Sequence, residues 1–263
     1  MSWGRHHDSS TNPLTLVMTR DRNLTATFAA TYTLSATSSG NGTVAKSPDQ
    51  PDYNPGDEVT LTATGAPHYH FVSWTGDTTA TGNPLLLTMT RDRSLVANFA
   101  IDTYTLTMST TGTGTTSPTG TTTRNYGTAL SLTATPGTGW HFVDWSGDTS
   151  ATTNPLPVVI TQNRSLTANF AINTYTLNIT TAGGSGTIAK SPDQATYDHG
   201  TTVTLTVTPA AGFLFTGWSG DLTGSANPAT ISMTANRTVT ANFLAASLPF
   251  VQNFCSRTRW PTI

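Results

Sequence analysis

The stretch Val59-Thr60-Leu61-Thr62-Ala63 decides the fold class, because its apolar and polar side chains alternate strictly along the chain. This alternation is typical of a β-strand with one buried face and one face in water. The same pattern returns at Leu130-Ser131-Leu132-Thr133-Ala134 and at Val203-Thr204-Leu205-Thr206-Val207. No stretch of the chain shows a convincing helical period. The sequence therefore predicts a mainly β protein.

Regularly spaced tryptophans show that the chain is built of repeats. Trp3, Trp74, Trp145 and Trp218 stand 71, 71 and 73 residues apart. Each is followed by an Asn-Pro pair and then by an arginine at fixed distances, and the last three are also followed by Gly-Asp. The landmarks of the three complete units are Trp74, Trp145 and Trp218; Asp77, Asp148 and Asp221; Asn83, Asn154 and Asn227; and Arg93, Arg164 and Arg237.

These landmarks divide the chain into five segments. Residues 1–31 are predicted to be the C-terminal half of a truncated repeat. Three complete repeats follow, the first at 32–101, the second at 102–172 and the third at 173–243. Residues 244–263 form a tail that lacks the repeat pattern. Tandem modules of this kind are typical of arrays in which each unit is one small structural module.

The connections between the predicted strands are short and polar. Arg91-Asp92-Arg93 separates two alternating segments and has the length of a hairpin loop. Gly40-Asn41-Gly42 indicates a similar turn between the first two strands of its repeat. Residues 118–130 are one residue longer than their counterpart in the first repeat. We interpret them as a surface loop, because surface connections absorb insertions more readily than buried strands.

The aromatic residues around each landmark tryptophan have two interpretations. The matching blocks are Tyr69-x-Phe71-x-x-Trp74, Trp140-x-Phe142-x-x-Trp145 and Phe213-x-Phe215-x-x-Trp218. Such a row could be a platform on which sugars stack, or it could be the core of a small domain. Because a unit of about 70 residues needs large side chains in order to fold, we favour the core. The first aromatic residue of each block leaves more room for exposure.

The recurring polar landmarks also have a structural and a functional interpretation. The Gly-Asp and Asn-Pro pairs could supply oxygen ligands for Ca²⁺, but only one carboxylate recurs and Ca²⁺ takes six or more oxygens. We therefore interpret the Asp and Asn as turn residues. The recurring Arg is a candidate ion-pair partner of the recurring Asp.

No residue pattern predicts catalysis, a metal site or a cofactor. His68 and His70 would share one face of a strand and could hold a metal ion, but the pair occurs in one repeat only. The chain has no nucleophile elbow, phosphate loop or CxxC pair. We therefore predict a protein that is not an enzyme and that has no cofactor.

The composition excludes two classes of partner. Only 10% of the residues are charged and the net charge is -2. Lys46 and Lys190 are the two lysines, and the arginines are dispersed, so there is no basic stripe for nucleic acid. No apolar run approaches the length that a membrane span requires. Neither nucleic acid nor membrane insertion is expected for this segment.

The ordered motifs resemble the divergent internalin-type B-repeat, also described as a Listeria–Bacteroides repeat. They are Tyr-Thr-Leu, Ser-Pro-Asp-Gln, Val-Thr-Leu-Thr, Gly-Trp-Ser-Gly-Asp, Asn-Pro and Asn-Arg-x-Val-Thr-Ala-Asn-Phe, and they match best in the third repeat. The resemblance covers most of the chain but not its tail. It implies small β-grasp-like modules, arranged as beads on a string, in bacterial secreted or cell-surface proteins. It brings no catalytic residues with it.

Two functions stay open at this point. The linkers Ala100-Ile101-Asp102-Thr103 and Ala171-Ile172-Asn173-Thr174 are too short for free tumbling, so neighbouring repeats are expected to be each other's partners. Such an array suits an extracellular structural stalk, which could contribute to adhesion. The alternative is a multivalent module that binds a host or matrix glycan or protein through the recurring aromatic residues, with avidity multiplying a modest affinity.

Overall fold

A computed structural model describes residues 2–4, 10–11 and 13–246. Residues 1, 5–9, 12 and 247–263 lie outside the described residues, and the last range includes nearly all of the predicted tail. Within the described residues all the regular elements are β-strands, which confirms the prediction of a mainly β protein. The same part of the chain contains no helix long and apolar enough to cross a membrane.

The strands follow the repeats along the sequence. Residues 1–31 contribute β1 (Ser2–Gly4) and β2 (Thr25–Thr27), which pair antiparallel. The first repeat contributes β3 (Leu34–Ser39), β4 (Gly42–Ser47), β5 (Glu58–Gly65), β6 (Tyr69–Gly76), β7 (Leu85–Thr88) and β8 (Arg93–Ile101). The second contributes β9 (Thr103–Thr111), β10 (Gly114–Ser117), β11 (Gly120–Asn125), β12 (Ala129–Pro136), β13 (Trp140–Gly147), β14 (Leu156–Val159) and β15 (Arg164–Ile172). The third contributes β16 (Thr174–Tyr175), β17 (Leu177–Ala182), β18 (Gly186–Ser191), β19 (Tyr197–Asp198), β20 (Thr202–Pro209), β21 (Phe213–Gly220), β22 (Ala229–Ser232) and β23 (Arg237–Ala245).

The chain forms two compact units, and the second repeat contributes residues to both. One unit comprises Met1–Thr105, Thr123–Ala129 and Val159–Asn163. The other comprises Leu106–Thr122, Leu130–Val158 and Arg164–Ile263.

The first repeat is a small sandwich of two three-stranded sheets. One sheet has the order β3-β8-β6, with β3 and β8 parallel and β6 antiparallel to β8. The other has the order β4-β5-β7 and is antiparallel throughout. Because side chains alternate between the faces of a strand, each sheet turns one apolar face toward the other.

The core of the first repeat lies between these two sheets. The buried residues form one cluster of Leu34, Tyr53, Val59, Leu61, Ala63, Trp74, Leu87, Met89, Leu95, Ala97 and Phe99. The apolar positions of the alternating stretch that predicted the fold are the members contributed by β5. Phe71 packs at this core against both Trp74 and Phe99.

The short connections predicted at residues 40–42 and 91–93 are present, but they do not form hairpins. Strands β3 and β4 on either side of the Gly40-Asn41-Gly42 turn belong to different sheets, and so do β7 and β8 on either side of Arg91-Asp92-Arg93. The segments have the length of hairpin loops, but both cross from one sheet to the other. The alternation of apolar and polar residues cannot distinguish a hairpin from a crossover between sheets, because it shows which face of a strand is buried and not which strand it pairs with.

The third repeat has the same architecture. Its sheets have the orders β17-β23-β21 and β18-β20-β22, with β17 parallel to β23. Its core cluster is Tyr197, Val203, Leu205, Val207, Trp218, Ala229, Ile231, Met233, Val239, Ala241 and Phe243. A short antiparallel bridge between β16 and β19 joins Tyr175 to Tyr197, as Tyr32 joins Tyr53 in the first repeat.

The second repeat has one additional strand. Its sheets have the orders β10-β12-β14 and β11-β9-β15-β13, so β11 extends one of them to four strands. The segment that we interpreted as a lengthened surface loop is thus partly a strand. Gly120-Thr121-Thr122-Thr123 replaces the Asp and Pro residues of the first repeat, and β-branched threonines suit a pleated surface.

Candidate functional site

The landmark tryptophans lie in the cores of their repeats. Trp74 and Trp145 are 0% exposed and Trp218 is 5% exposed. Each indole Nε1–H donates a hydrogen bond to a backbone carbonyl eight residues later, at 2.9–3.1 Å. The ring therefore fills the core while its one polar atom holds the following loop. These rings have no surface on which a sugar could stack.

The landmark asparagines hold the same loop to the opposite sheet. Asn83 Nδ2 donates to Ala63 O at 2.7 Å, and Asn83 Oδ1 accepts from Ala63 N–H at 2.9 Å. Asn154 makes the same two bonds with Ala134, and Asn227 makes them with Val207. The side-chain amide thus takes the place of a neighbouring strand just before β7, β14 and β22 begin.

The landmark aspartates tie the end of one strand to the start of another. Asp77 Oδ2 accepts a hydrogen bond from Ser94 N–H at 2.6 Å, while Asp77 N–H donates to Ser94 O. Asp148 and Asp221 make the same exchange with Ser165 and Thr238. These carboxylates and the landmark amides are thus bonded to backbone groups of their own repeats. In the described part of the chain no group of three or more His, Cys, Asp or Glu could hold a metal ion.

The landmark arginines do not all pair with the landmark aspartates. Arg237 Nη1 lies 3.5 Å from Asp221 Oδ1 in the third repeat, as expected. In the first repeat Arg93 donates instead to Thr78, and Asp77 is paired with Arg91. Arg164 likewise donates to Thr149. The expected pair is therefore wrong for the first two repeats, where a threonine hydroxyl lies within reach of the guanidinium group.

The first aromatic residue of each block is partly exposed. Trp140 and Phe213 lie against the glycine-rich turns of their own repeats, where a side chain on Gly112 or Gly184 would collide with the ring. These glycines therefore leave space for a large ring. Tyr69 occupies the matching position in the first repeat and is also partly exposed.

His68 and His70 lie at the junction between the first and second repeats. Asp102 is the one residue between β8 and β9 that is outside a strand. Its N–H donates to His68 O, its carbonyl accepts from Tyr126 N–H, and its Oδ1 lies 2.8 Å from His70 Nδ1. The His68 ring stacks on Tyr126 with a centroid distance of 3.4 Å. The histidine pair thus contacts the linker and the next repeat, a role that the sequence did not reveal.

The junction between the second and third repeats has the same backbone pattern with different side chains. Asn173 N–H donates to Gly139 O, Asn173 O accepts from His199 N–H, and Asn173 Oδ1 lies 2.7 Å from His141 Nδ1. A side chain on Gly139 would collide with the His199 ring. Tyr175 also packs against this ring. Each junction thus has its own complementary pair of side chains.

The linker is therefore much shorter than the four residues that the sequence suggested. Asn173, like Asp102, is the one residue between its flanking strands. Its N–H and C=O are bonded in opposite directions, to the preceding repeat and to the following one. The first half of this pattern occurs a third time, where Ala246 N–H donates to Gly212 O.

The fold and these junctions define a tandem array of all-β modules. Three consecutive segments, at residues 32–103, 104–174 and 175–247, match the divergent InlB B-repeat domain. The chain therefore belongs to the divergent InlB B-repeat family, a repeat family of bacterial surface proteins.

Comparison with other proteins adds little to this assignment. No curated protein matches the sequence. Among solved structures the chain is similar to the Bacillus anthracis TIE protein, at 7% identity and a TM-score of 0.35. The similarity covers 81% of this chain and 50% of that one, so the chain spans half the length of that structure.

Proposed function

We propose that this chain is a non-catalytic spacer region of a bacterial cell-surface or secreted protein. Its repeats would set the distance and direction between domains on either side, and in that way contribute to adhesion. The observation that carries the proposal is the bonding of Asp102 and Asn173, each of which is held by the repeat before it and the repeat after it. A linker fixed on both sides suits a spacer better than a flexible tether.

The positions and hydrogen bonds of the recurring side chains support the same proposal. A binding array would be expected to present its recurring side chains to solvent, where a ligand could reach them. The landmark Trp side chains are buried instead, and the landmark Asn and Asp side chains bond to the backbone of their own repeats. The alternative of glycan binding through the tryptophans therefore has no support from their geometry.

Small-angle scattering on the full chain tests the spacer proposal. A spacer is expected to give an elongated particle, whereas a compact fold of this length would have a radius of gyration near ~18 Å. A measured value at that level would contradict the proposal. A glycan-array experiment on the same protein tests the alternative, which predicts retention that is lost when Trp140 and Phe213 are replaced by alanine.

The junctions provide a matched variant for the scattering experiment. In Gly139→Val the new side chain would displace His199 and loosen the second junction. Gly120→Val changes an open position of the same repeat, where a Cβ meets no atom within 4 Å. Both glycines have positive φ, 76° and 62°, so the backbone cost is similar. The spacer proposal predicts a broader distribution of dimensions for Gly139→Val than for Gly120→Val.

A further inference from the structure

The third repeat has a sheet edge that is paired at one end and open along the rest. Thr176 O accepts a hydrogen bond from Arg237 N–H on the β23 side, and Tyr175 pairs with Tyr197 on the opposite side. Successive residues of a strand direct their backbone groups to alternate sides. The N–H and C=O groups of Leu177, Ile179 and Thr181 therefore point to the same side as those of Tyr175. Among the described strands, β17 has no partner along that side.

A groove lies beside this open edge. It has a volume of about 310 Å³ and is lined by Leu177 and Ile179 of β17 and by Ile188 and Lys190 of β18. Leu177 and Ile179 are both partly exposed. The groove thus combines unpaired backbone groups with aliphatic side chains, the two features by which a sheet edge accepts a further strand.

The one charged residue of the groove is already paired. Lys190 Nζ lies 2.8 Å from Asp193 Oδ1, and this hydrogen bond raises the pKa of Lys190. Lys190 Nζ also donates to Gln194 O and lies over the Tyr197 ring. What the groove offers to a ligand is therefore the aliphatic part of Lys190, so the groove suits an uncharged segment.

The second repeat shows what covers such an edge. There β11 pairs with β9, the counterpart of β16 and β17, and Thr121 Oγ1 lies 3.2 Å from Thr107 Oγ1. Leu106 and Met108, the counterparts of Leu177 and Ile179, are 0% and 6% exposed. The chain therefore contains a covered and an open version of the same edge.

We propose that the groove between β17 and β18 binds an extended, uncharged protein segment, which adds to the edge of β17 as β11 adds to β9. Its inward side chains would be small, aliphatic or threonine, since Thr122 of β11 has a buried hydroxyl. It would contain no proline at the pairing positions, because proline cannot donate to the sheet. This activity goes beyond the spacer role and does not depend on it.

The probe is a synthetic peptide with the sequence of residues 118–123, which contains the uncharged first four residues of β11 and stops before Arg124. Added to the isotope-labelled chain, it is expected to shift the amide NMR signals of Leu177, Ile179 and Thr181 and to slow their hydrogen exchange. A control peptide with Thr121→Pro and Thr122→Pro lacks two N–H donors. Because successive residues direct their N–H groups to alternate sides, one of the two donors faces β17, and the loss of that hydrogen bond is expected to weaken binding by about tenfold.

The matched protein control is a variant in which the third repeat covers the edge of β17 with a strand of its own. Residues 193–196 are replaced by the sequence of residues 119–123, so that the third repeat can form its own copy of β11. The peptide-induced shifts are expected to disappear in this variant. The Trp218 indole signal reports whether the third repeat of the variant remains folded. The proline peptide, added to the unmodified chain, gives a second test that needs no protein variant.

Three results would overturn the proposal. The first is an absence of change at Leu177, Ile179 and Thr181 with the peptide at millimolar concentration. The second is an equal response to the proline peptide, which would exclude backbone pairing. The third is protection of the same amides that grows with protein concentration without peptide, which would make a second copy of this chain the occupant of the edge.

Discussion

Asn83 and Ala63 are joined by two hydrogen bonds in which a side-chain amide pairs with a backbone amide as one strand pairs with another. The bonds measure 2.7 and 2.9 Å, and they connect the loop before β7 to β5. The asparagine side chain thus gives β5 a pair of hydrogen bonds that the backbone of the loop does not supply. Asn154 and Asn227 make the same bonds in the second and third repeats. The role of the asparagine can therefore be tested in any of the three repeats.

We predict that Asn154→Ala destabilises the second repeat by about 1–3 kcal/mol, because the N–H and C=O of Ala134 lose their partner. Asn154→Asp is expected to be at least as harmful, since a carboxylate oxygen would then face Ala134 O. Amide exchange within the second repeat measures the effect, and Thr152→Ala, at an exposed position of the same loop, is the control. Equal stability of Asn154→Ala and Thr152→Ala would contradict this role.

Trp145→Ala is predicted to unfold the second repeat. The substitution removes a fully buried ring and is expected to cost about 3–5 kcal/mol, and a module of this size has only a few kcal/mol of stability. The NMR signals of the second repeat should lose their dispersion while those of the third largely persist. Trp145→Phe should retain the fold at lower stability. A folded Trp145→Ala protein would show that the ring is not essential to the core.

The Gly-Asp pair after each tryptophan is predicted to tolerate a change at Asp better than one at Gly. Gly147 has a φ of 104°, and a Cβ there would collide with Ser165 O. Asp148→Asn retains an oxygen that accepts from Ser165 N–H, so it is expected to lose less than about 1 kcal/mol. Gly147→Ala should destabilise the repeat more. Denaturant unfolding of both variants gives the comparison, and the reverse order would refute the explanation.

Acid is predicted to destabilise the first repeat through Asp92. Hydrogen bonds from the backbone N–H and hydroxyl of Thr33 lower the pKa of this carboxyl. A lowered pKa contributes stability that is present above the unfolded-state pKa and lost as the pH falls through the folded-state pKa, here below about pH 4. Asn163 and Asn236 occupy the matching positions and accept the equivalent backbone bonds without titrating.

The variant Asp92→Asn isolates this contribution. It keeps the oxygen that accepts from Thr33, so the fold is expected to persist. The fall in stability of the first repeat between about pH 6 and about pH 2.5 should be smaller in the variant than in the unmodified chain. Amide exchange in the first repeat measures it, with the third repeat as internal reference. An unchanged acid response would show that Asp92 contributes nothing to it.

The sequence predicted the repeated β modules because alternation and spacing are local properties of the chain. It did not predict which strands pair, and the two segments expected to form hairpins cross between sheets instead. It also treated residues 118–130 as a loop, although they contain β11. Threonine favours a pleated surface, but β-propensity depends on the neighbouring strand, and here the segment forms a strand that pairs with β9.

By itself the sequence determined the mainly β fold, the order of the repeats and which landmark positions recur. These features follow from the periodicity of the side chains, which is present in the sequence of each strand whichever strand it pairs with. Only the tertiary structure decided the roles of Asp102 and Asn173 in the linkers, and the difference between the covered edge of β9 and the open edge of β17. Both depend on backbone groups distant in sequence meeting in space, and a backbone N–H or C=O is the same in every residue except proline.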